Sequence, residues 1–205
     1  MRFARLLVLL GVALGISTWS PPSWGEGAPT ATVRKANDTL RELLQRKVTP
    51  GGEDEKKLTS ELTSRLGTFL DVDELGRRAL RDHWSKLSAE QRREFTRLLR
   101  DLVDANYLKA LRARLTYEVA YLDETAASSS VRVATEVTAM RNGRKQRMPI
   151  DYVLHRQNDD WRVFDIVTDG VGLVENYRSQ FNKVIGKEGV EGLLTRMRKK
   201  KLEGA

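Results

Sequence analysis

One carboxylate lies where an aspartate is unusual, and it is the first residue to consider for chemistry. Asp165 occurs within the mostly apolar segment from Trp161 to Val167. An unpaired carboxylate is costly to bury in such a segment, and burial raises its pKa. Asp165 is therefore a candidate proton acceptor. The alternatives are an ion pair with an arginine on a neighbouring element or a position on an exposed face.

The two histidines make a weak case for catalysis or metal binding. His83 follows Arg81 and Asp82 between two predicted helices, and His155 lies near the end of a predicted strand. We expect both to be solvated or hydrogen-bonded structural side chains, and neither has a second histidine at ligand spacing. The chain has no cysteine, which excludes a thiol nucleophile, disulfides and metal-thiolate sites. Nucleophile-elbow, P-loop, dinucleotide and HExxH motifs are also absent, so we predict a non-enzyme without cofactor or metal.

Three arginines are candidates for holding a phosphate group. They are Arg77, Arg78 and Arg178, on two predicted helices. A guanidinium meets phosphate oxygens through two parallel hydrogen bonds, although charges on helices more often form a solvated face. The basic run from Arg196 to Lys201 is a second candidate, for an anionic membrane or an acidic partner, unless it is only a solvated end.

The elements that must position these residues begin with helices. Apolar residues at helical spacing predict amphipathic helices over residues 28–48 and about 54–70, followed by a short helix from Asp71. A longer helix begins at the capping-box pattern of Ser88 and Gln91. After the strands, helix is predicted again from about residue 172 to 184 and from 188 to the basic end.

Between these helical regions the apolar period changes to two. The alternation predicts four strands, which begin near Tyr117, Val131, Met148 and Trp161, and Asn142-Gly143 is a strong hairpin turn. The last strand is apolar on both faces, as expected where helices or a ligand cover both sides. The order of helices, strands and helices predicts an α+β fold, with a helical layer packed on a curved, twisted four-stranded antiparallel sheet.

The amino-terminal residues predict export. Arg2 and Arg5 precede an apolar run from Leu6 to Ile16, which is too short to span a bilayer, and small residues stand before a cleavage point ahead of Glu26. We expect residues 1–25 to be a cleaved signal peptide and residues 26–205 to be a single domain. Loss of Arg2 and Arg5 lowers the formal charge from +8 to +6. A basic domain suits an anionic membrane or a phosphate-bearing ligand, whereas export argues against nucleic acid.

Several segments together resemble a known family. They are DVDELGRRAL from Asp71 with His83-Trp84 after it, LSAEQRREF, DIVTDGVGLVENYRSQF from Asp165, and KEGVEGLLTRMRKK from Lys187. In sequence and order they resemble the periplasmic phospholipid-binding carriers of the Mla (maintenance of lipid asymmetry) transport system, the toluene-tolerance family. The resemblance covers nearly all of residues 26–205, although residues 123–147 are weakly diagnostic.

The resemblance implies a function. It implies an NTF2-like cone of helices over the sheet, enclosing an apolar pocket for the acyl chains of a phospholipid. It also implies a periplasmic carrier that shuttles lipid, without catalysis, between an outer-membrane lipoprotein-porin complex and an inner-membrane ABC transporter that bears an MCE-domain protein. The carrier would thus contribute to outer-membrane lipid asymmetry.

Given such a pocket, the apolar pattern suggests which side chains line it. We expect the sheet to contribute Val119, Val133, Val137, Ile150, Tyr152, Val163 and Ile166, and the helices to contribute Leu99, Leu102, Val171, Val174 and Tyr177. Two other hypotheses stay open at this point. One is an envelope chaperone or adaptor with an exposed apolar groove, and the other is a steroid-isomerase-like enzyme that uses Asp165.

Overall fold

Five α-helices and five β-strands build the part of the chain that the structure describes. A computed structural model describes residues 27–112, 117–141 and 144–204, so the predicted signal peptide and the Asn142-Gly143 turn lie outside the described residues. The elements, in chain order, are α1 (Ala28–Leu44), α2 (Glu53–Phe69), α3 (Val72–Leu80), a 3₁₀ helix (Arg81–Lys86), α4 (Ala89–Arg112), β1 (Tyr117–Ala127), β2 (Ser130–Arg141), β3 (Arg144–Gln157), β4 (Asp160–Thr168), β5 (Val171–Gly172) and α5 (Leu173–Gly204).

The helix boundaries follow local chemistry. At the start of α4 the Ser88 hydroxyl accepts a hydrogen bond from the Gln91 amide at 3.1 Å, and the Gln91 side chain accepts one from the Ser88 amide at 2.9 Å, which confirms the predicted capping box. Helix α1 ends at Leu44, four residues earlier than predicted, and the Gln45 amide at its C-cap donates to the Arg41 carbonyl at 3.2 Å. The two predicted carboxy-terminal helices form one element, α5, with a kink at Gly189, whose φ is 69°.

The sheet is antiparallel in the order β1-β2-β3-β4-β5, with one strand more than the four predicted. Strand β5 has only two residues, which pair with Val167 and Thr168 after a tight turn at Asp169 and Gly170. Two residues are too few to produce an alternating pattern, so periodicity could not reveal this strand.

The register gives the sheet two distinct faces. Directly paired residues project on the same side, so Val133, Tyr152 and Ile166 share one face. That face also carries Tyr117 and Tyr121, and we call it the tyrosine face. The opposite face, which carries Arg132 and Asp165, we call the arginine face. A shift in the pairing between Tyr121 and Asp123 marks a β-bulge in the edge strand β1.

Helices lie against both faces of the sheet, whereas the sequence predicted a helical layer on one face. The end of α2 reaches the tyrosine face, where Phe69 contacts the Tyr152 ring edge-on at 5.9 Å. Helix α3 reaches the arginine face, where the Arg78 guanidinium lies 3.9 Å from the centre of the Phe164 ring. Strand β4 is consequently covered on both sides, which explains why its apolar residues do not alternate.

A single hydrophobic core joins the helices to the sheet, and α3 and α4 approach closely within it. A Cβ atom on Gly76 of α3 would lie 2.9 Å from Phe95 and 3.0 Å from Leu99 on α4, so only glycine fits there without a shift. Phe95 also contacts Phe181 of α5 edge-on at 5.3 Å. Among the described residues, no helix is both long and apolar enough to cross a membrane.

Candidate functional site

The tyrosine face of the sheet collects the strand residues that were predicted to line a pocket. All seven project on this face by their pairing: Val119, Val133, Val137, Ile150, Tyr152, Val163 and Ile166. Val133 and Val163 are fully buried, whereas Val119 and Ile150 are only half-buried. The face therefore forms a largely apolar wall across four strands, interrupted at Thr135, whose hydroxyl donates to the Ile150 carbonyl, and this wall is one candidate site.

Helix α1 lies over this wall through polar contacts made by one buried residue. The Asn37 side-chain amide donates to the Tyr121 hydroxyl at 3.1 Å, and the Tyr152 hydroxyl donates to Asn37 Oδ1 at 3.4 Å. The Tyr117 hydroxyl donates to the backbone carbonyl of Asn37 at 3.5 Å. Burial raises the pKa of Tyr117, so this phenol stays neutral and can donate over the whole physiological range.

A second polar contact holds the first turn of α1. The Glu124 carboxylate accepts hydrogen bonds from the Thr30 amide at 3.0 Å and from the Thr30 hydroxyl. Glu124 thus supplies from β1 the N-terminal cap that α1 lacks locally, because Gly27 stands at its N-cap. The sequence analysis missed both Asn37 and Glu124. A signal existed for Asn37, since it falls at helical spacing from Val33 and Leu40, on the apolar stripe of α1.

The helix residues predicted to line the pocket do not gather at the wall. Leu99 packs against Gly76 of α3, and Tyr177 stacks on Phe181, which contacts Phe95 of α4. Leu102 is buried in the helical part of the core. Val174 lies at the arginine face, and Val171 is 56% exposed at the sheet edge. Val174 lies there because α5 begins on the arginine side of β4, whereas Val171 pairs with Thr168 and so projects on the tyrosine face.

The arginine face carries a separate cavity of about 520 Å³, which we call the arginine cavity. Its apolar floor includes Val153, Phe164 and Val174. Five arginines from four elements surround it. They are Arg77 and Arg78 of α3, Arg81 of the 3₁₀ helix, Arg132 of β2 and Arg178 of α5. The structure therefore brings together all three arginines that were predicted to hold phosphate, and it adds two that the sequence analysis missed.

Carboxylates and a backbone carbonyl orient these arginines. Glu74 accepts two hydrogen bonds from Arg77, at 2.6 and 2.7 Å, and one from Arg78 at 2.7 Å. Burial would raise the pKa of Glu74, but the hydrogen bonds and charges of Arg77 and Arg78 outweigh it and hold this pKa below its usual value. Arg178 pairs with Glu175 at 2.7 Å and also donates to the backbone carbonyl of Arg78 at 3.1 Å, which links α5 to α3.

Asp165, the candidate proton acceptor, serves a structural purpose. Its Oδ1 accepts a hydrogen bond from the Val174 amide at 3.1 Å, in the first turn of α5. A Cβ atom on Gly172 would lie 2.6 Å from Asp165 Oδ2, so glycine at this corner gives the carboxylate its room. Asp165 therefore caps α5, and uptake of a proton by its carboxylate would weaken that cap.

The histidines differ in their surroundings. His155 Nε2 lies 2.9 Å from Asp71 Oδ2, which confirms that His155 is a paired side chain. Asp71 also accepts a hydrogen bond from the Glu74 amide and so caps α3. His83 is half-buried in the 3₁₀ helix.

The fold is shared with proteins that bind phospholipid. A solved structure of this fold is that of a phospholipid-binding protein from Ralstonia solanacearum in complex with a phospholipid. It has a TM-score of 0.73 and 27% sequence identity, and the match covers 87% of this chain and 99% of that one. A curated relative, the intermembrane phospholipid transport system binding protein MlaC of Haemophilus influenzae, is 21% identical over 174 residues, which is 84% of this chain and 81% of the relative.

A sequence model of a protein family identifies the family of this chain. The model described as MlaC protein matches residues 34–199, which is most of the chain. This protein belongs to the MlaC family.

Proposed function

We propose that this protein is a phospholipid-binding transport protein whose ligand places its acyl chains against the tyrosine face. Membership of the MlaC family and the phospholipid complex of the Ralstonia solanacearum protein support the ligand class. The observation that carries the location is the apolar wall of seven strand residues beneath α1. None of these seven residues lines the arginine cavity.

The physical need for such a wall is large. Two sixteen-carbon chains hold about 30 methylenes, which cost roughly 24 kcal/mol when exposed to water at about 0.8 kcal/mol each. A carrier that matches the apolarity of the bilayer removes most of this cost without binding the lipid too tightly for release. Such a carrier has no intrinsic direction, because direction requires partners that favour one state over another.

The setting of this transport is also part of the proposal. The protein works in the periplasm after loss of a signal peptide, and it shuttles lipid between an outer-membrane lipoprotein-porin complex and an inner-membrane MCE-domain protein with its ABC transporter. The name of the Haemophilus influenzae relative, an intermembrane transport binding protein, supports this setting. Catalysis is not part of the proposal, because Asp165 already caps α5.

The experiment compares two tryptophan substitutions on the same strand. Ile150→Trp fills the tyrosine face and Val153→Trp fills the arginine face, and both positions are half-buried. Each variant is purified from a Gram-negative host, extracted with organic solvent and analysed by mass spectrometry, with circular dichroism to confirm folding. We expect bound phospholipid in the wild type and in Val153→Trp, and several-fold less in Ile150→Trp.

Two results would contradict the proposal. If the wild-type protein releases no phospholipid, the ligand class is wrong. If both variants retain the same lipid content, the acyl chains lie elsewhere and the wall is only part of the core.

A further inference from the structure

We propose that the arginine cavity is a second binding site, specific for a phosphate ester of the kind found in phospholipid head groups. The site lies on the face of the sheet opposite the acyl wall, so this inference does not depend on where the acyl chains bind. The ligand is either a head group presented at a membrane surface or a soluble ester of the same chemistry.

The first argument is the concentration of guanidinium groups from separate parts of the chain. Five arginines surround one cavity, whose lining contains only two carboxylates, Asp82 and Asp165. A guanidinium carries five N–H donors in a fixed plane and suits tetrahedral phosphate oxygens. The volume of about 520 Å³ also lies within the range of small-molecule sites, roughly 300–1,000 Å³.

Second, the existing ion pairs orient these arginines without using all of their N–H donors. Arg78 gives Glu74 only its Nε donor, and Arg132 gives Asp151 only one terminal nitrogen, at 3.1 Å. Arg178 Nε is buried and has no hydrogen-bond partner among the described residues. A buried donor without an acceptor is costly, and a bound phosphate oxygen would remove that cost.

The third argument is the position of these groups relative to water. The Arg78 and Arg178 side chains are 31% and 28% exposed, whereas Arg77, Arg81 and Arg132 are more than half exposed around them. Two half-buried guanidiniums attract an anion more strongly than surface charges do, because less water screens them. The three exposed ones add a positive rim that draws the anion in.

The neighbouring surface selects what the phosphate is attached to. A smaller cavity of about 270 Å³ adjoins the first and shares Arg132 and Asp165 with it. Its other charged lining residues are carboxylates: Asp151, Asp169 and Glu175. A phosphate held by the arginines would direct its substituent toward these acids. An ester with an ammonium substituent, such as ethanolamine, should therefore bind better than one with an uncharged substituent, such as glycerol.

The experiment titrates the full-length mature protein with three soluble probes. These are glycerophosphoethanolamine, glycerophosphoglycerol and inorganic phosphate, and binding is followed by isothermal titration calorimetry at low salt. We expect glycerophosphoethanolamine to bind most tightly and inorganic phosphate least. Equal affinity for all three probes would overturn the proposal, because it would show a site for an ion and not for an ester. Absence of binding at millimolar concentration would also overturn it.

Two matched variants locate the binding. Arg132→Gln removes a guanidinium from the cavity, whereas Arg147→Gln removes one from the same sheet outside it; both side chains are more than half exposed beside a carboxylate. We expect glycerophosphoethanolamine to bind about tenfold more weakly to Arg132→Gln, as for loss of one charge-assisted hydrogen bond, and unchanged to Arg147→Gln. Equal effects of both variants would overturn the assignment to this cavity.

Two further measurements separate the ligand source and the proposed function. If the protein sediments with phosphatidylethanolamine-rich vesicles and the Arg132→Gln variant does not, a membrane head group is the source of the phosphate ester. Binding of the soluble ester alone would identify a free ester, and either result supports the proposed chemistry. Arg132→Gln should retain co-purified phospholipid, so a failure of the arginine cavity and a failure of the acyl wall give different results.

Discussion

The hydroxyl of Tyr152, on the third strand, donates a hydrogen bond to Oδ1 of Asn37, on the first helix, at 3.4 Å. The amide of the same Asn37 side chain donates to Tyr121 of the first strand. Asn37 is only 6% exposed, so water cannot easily replace these contacts. One amide side chain therefore fixes the position of α1 over the apolar wall.

The first prediction concerns this amide. Asn37→Ala removes the side-chain hydrogen bonds to Tyr121 and Tyr152, which at about 0.5–1.5 kcal/mol each together contribute about 1–3 kcal/mol. We expect the free energy of unfolding, measured by urea denaturation, to fall by an amount in that range. Asn176→Ala is the control, since Asn176 is exposed and, among the described residues, accepts a hydrogen bond from Gln180 of the same helix. Equal losses in the two variants would contradict the importance of the tyrosine contacts.

The second prediction concerns pH. Because Arg77 and Arg78 hold the pKa of folded Glu74 below its usual value of 4.5, ionised Glu74 stabilises the fold above about pH 4.5. This contribution disappears as the pH falls through the folded pKa and the carboxylate takes up a proton. Glu74→Gln should therefore be less stable than wild type at pH 7, and the difference should shrink in acid.

The pH prediction is tested by chemical denaturation at several values between pH 7 and pH 3. Glu42→Gln, an exposed change of equal charge on α1, is the control for the general loss of a negative charge. A stability difference between wild type and Glu74→Gln that stays constant over this range would show that the ion pairs contribute nothing.

The third prediction concerns the close approach of α3 and α4. Alanine at Gly76 would force the buried Phe95 and Leu99 side chains to move, and overpacking of this kind costs about 1–3 kcal/mol, against a helix-propensity gain of about 1 kcal/mol. Thermal unfolding should therefore show a net loss for Gly76→Ala. Gly67→Ala, whose Cβ would meet only Arg100 at 3.9 Å, should be neutral or stabilising. The reverse order would refute this packing argument.

The shared face of the strand residues could be predicted because alternation contains geometric information. Side chains two residues apart share a face, so Val133 and Val137 had to lie together, and the turns then paired them with Tyr152 and its neighbours. The capping box at Ser88 was likewise predictable from a short pattern, a serine followed three residues later by a glutamine. These features depend on residues close in sequence.

What a helix packs against could not be predicted in the same way, because periodicity identifies an apolar stripe but not what covers it. Leu99 lies on such a stripe, yet its neighbour is Gly76 of α3 and not the sheet. The three phosphate candidates were proposed from residue type alone, and their meeting with Arg132 depends on how α3 and α5 lie on the arginine face. Such positions follow from long-range packing, which a helical pattern does not encode.

The bulge in β1 has a consequence for the whole edge of the sheet. If Leu122 paired in regular register, the alternation of side chains would turn Glu124 to the arginine face, away from Thr30 of α1. The shift also interrupts the row of unpaired backbone groups on an edge strand, next to the charges of Asp123 and Glu124. Both features discourage a strand of another chain from adding to this edge. The bulge that lets Glu124 cap α1 therefore also protects the protein from edge-to-edge aggregation.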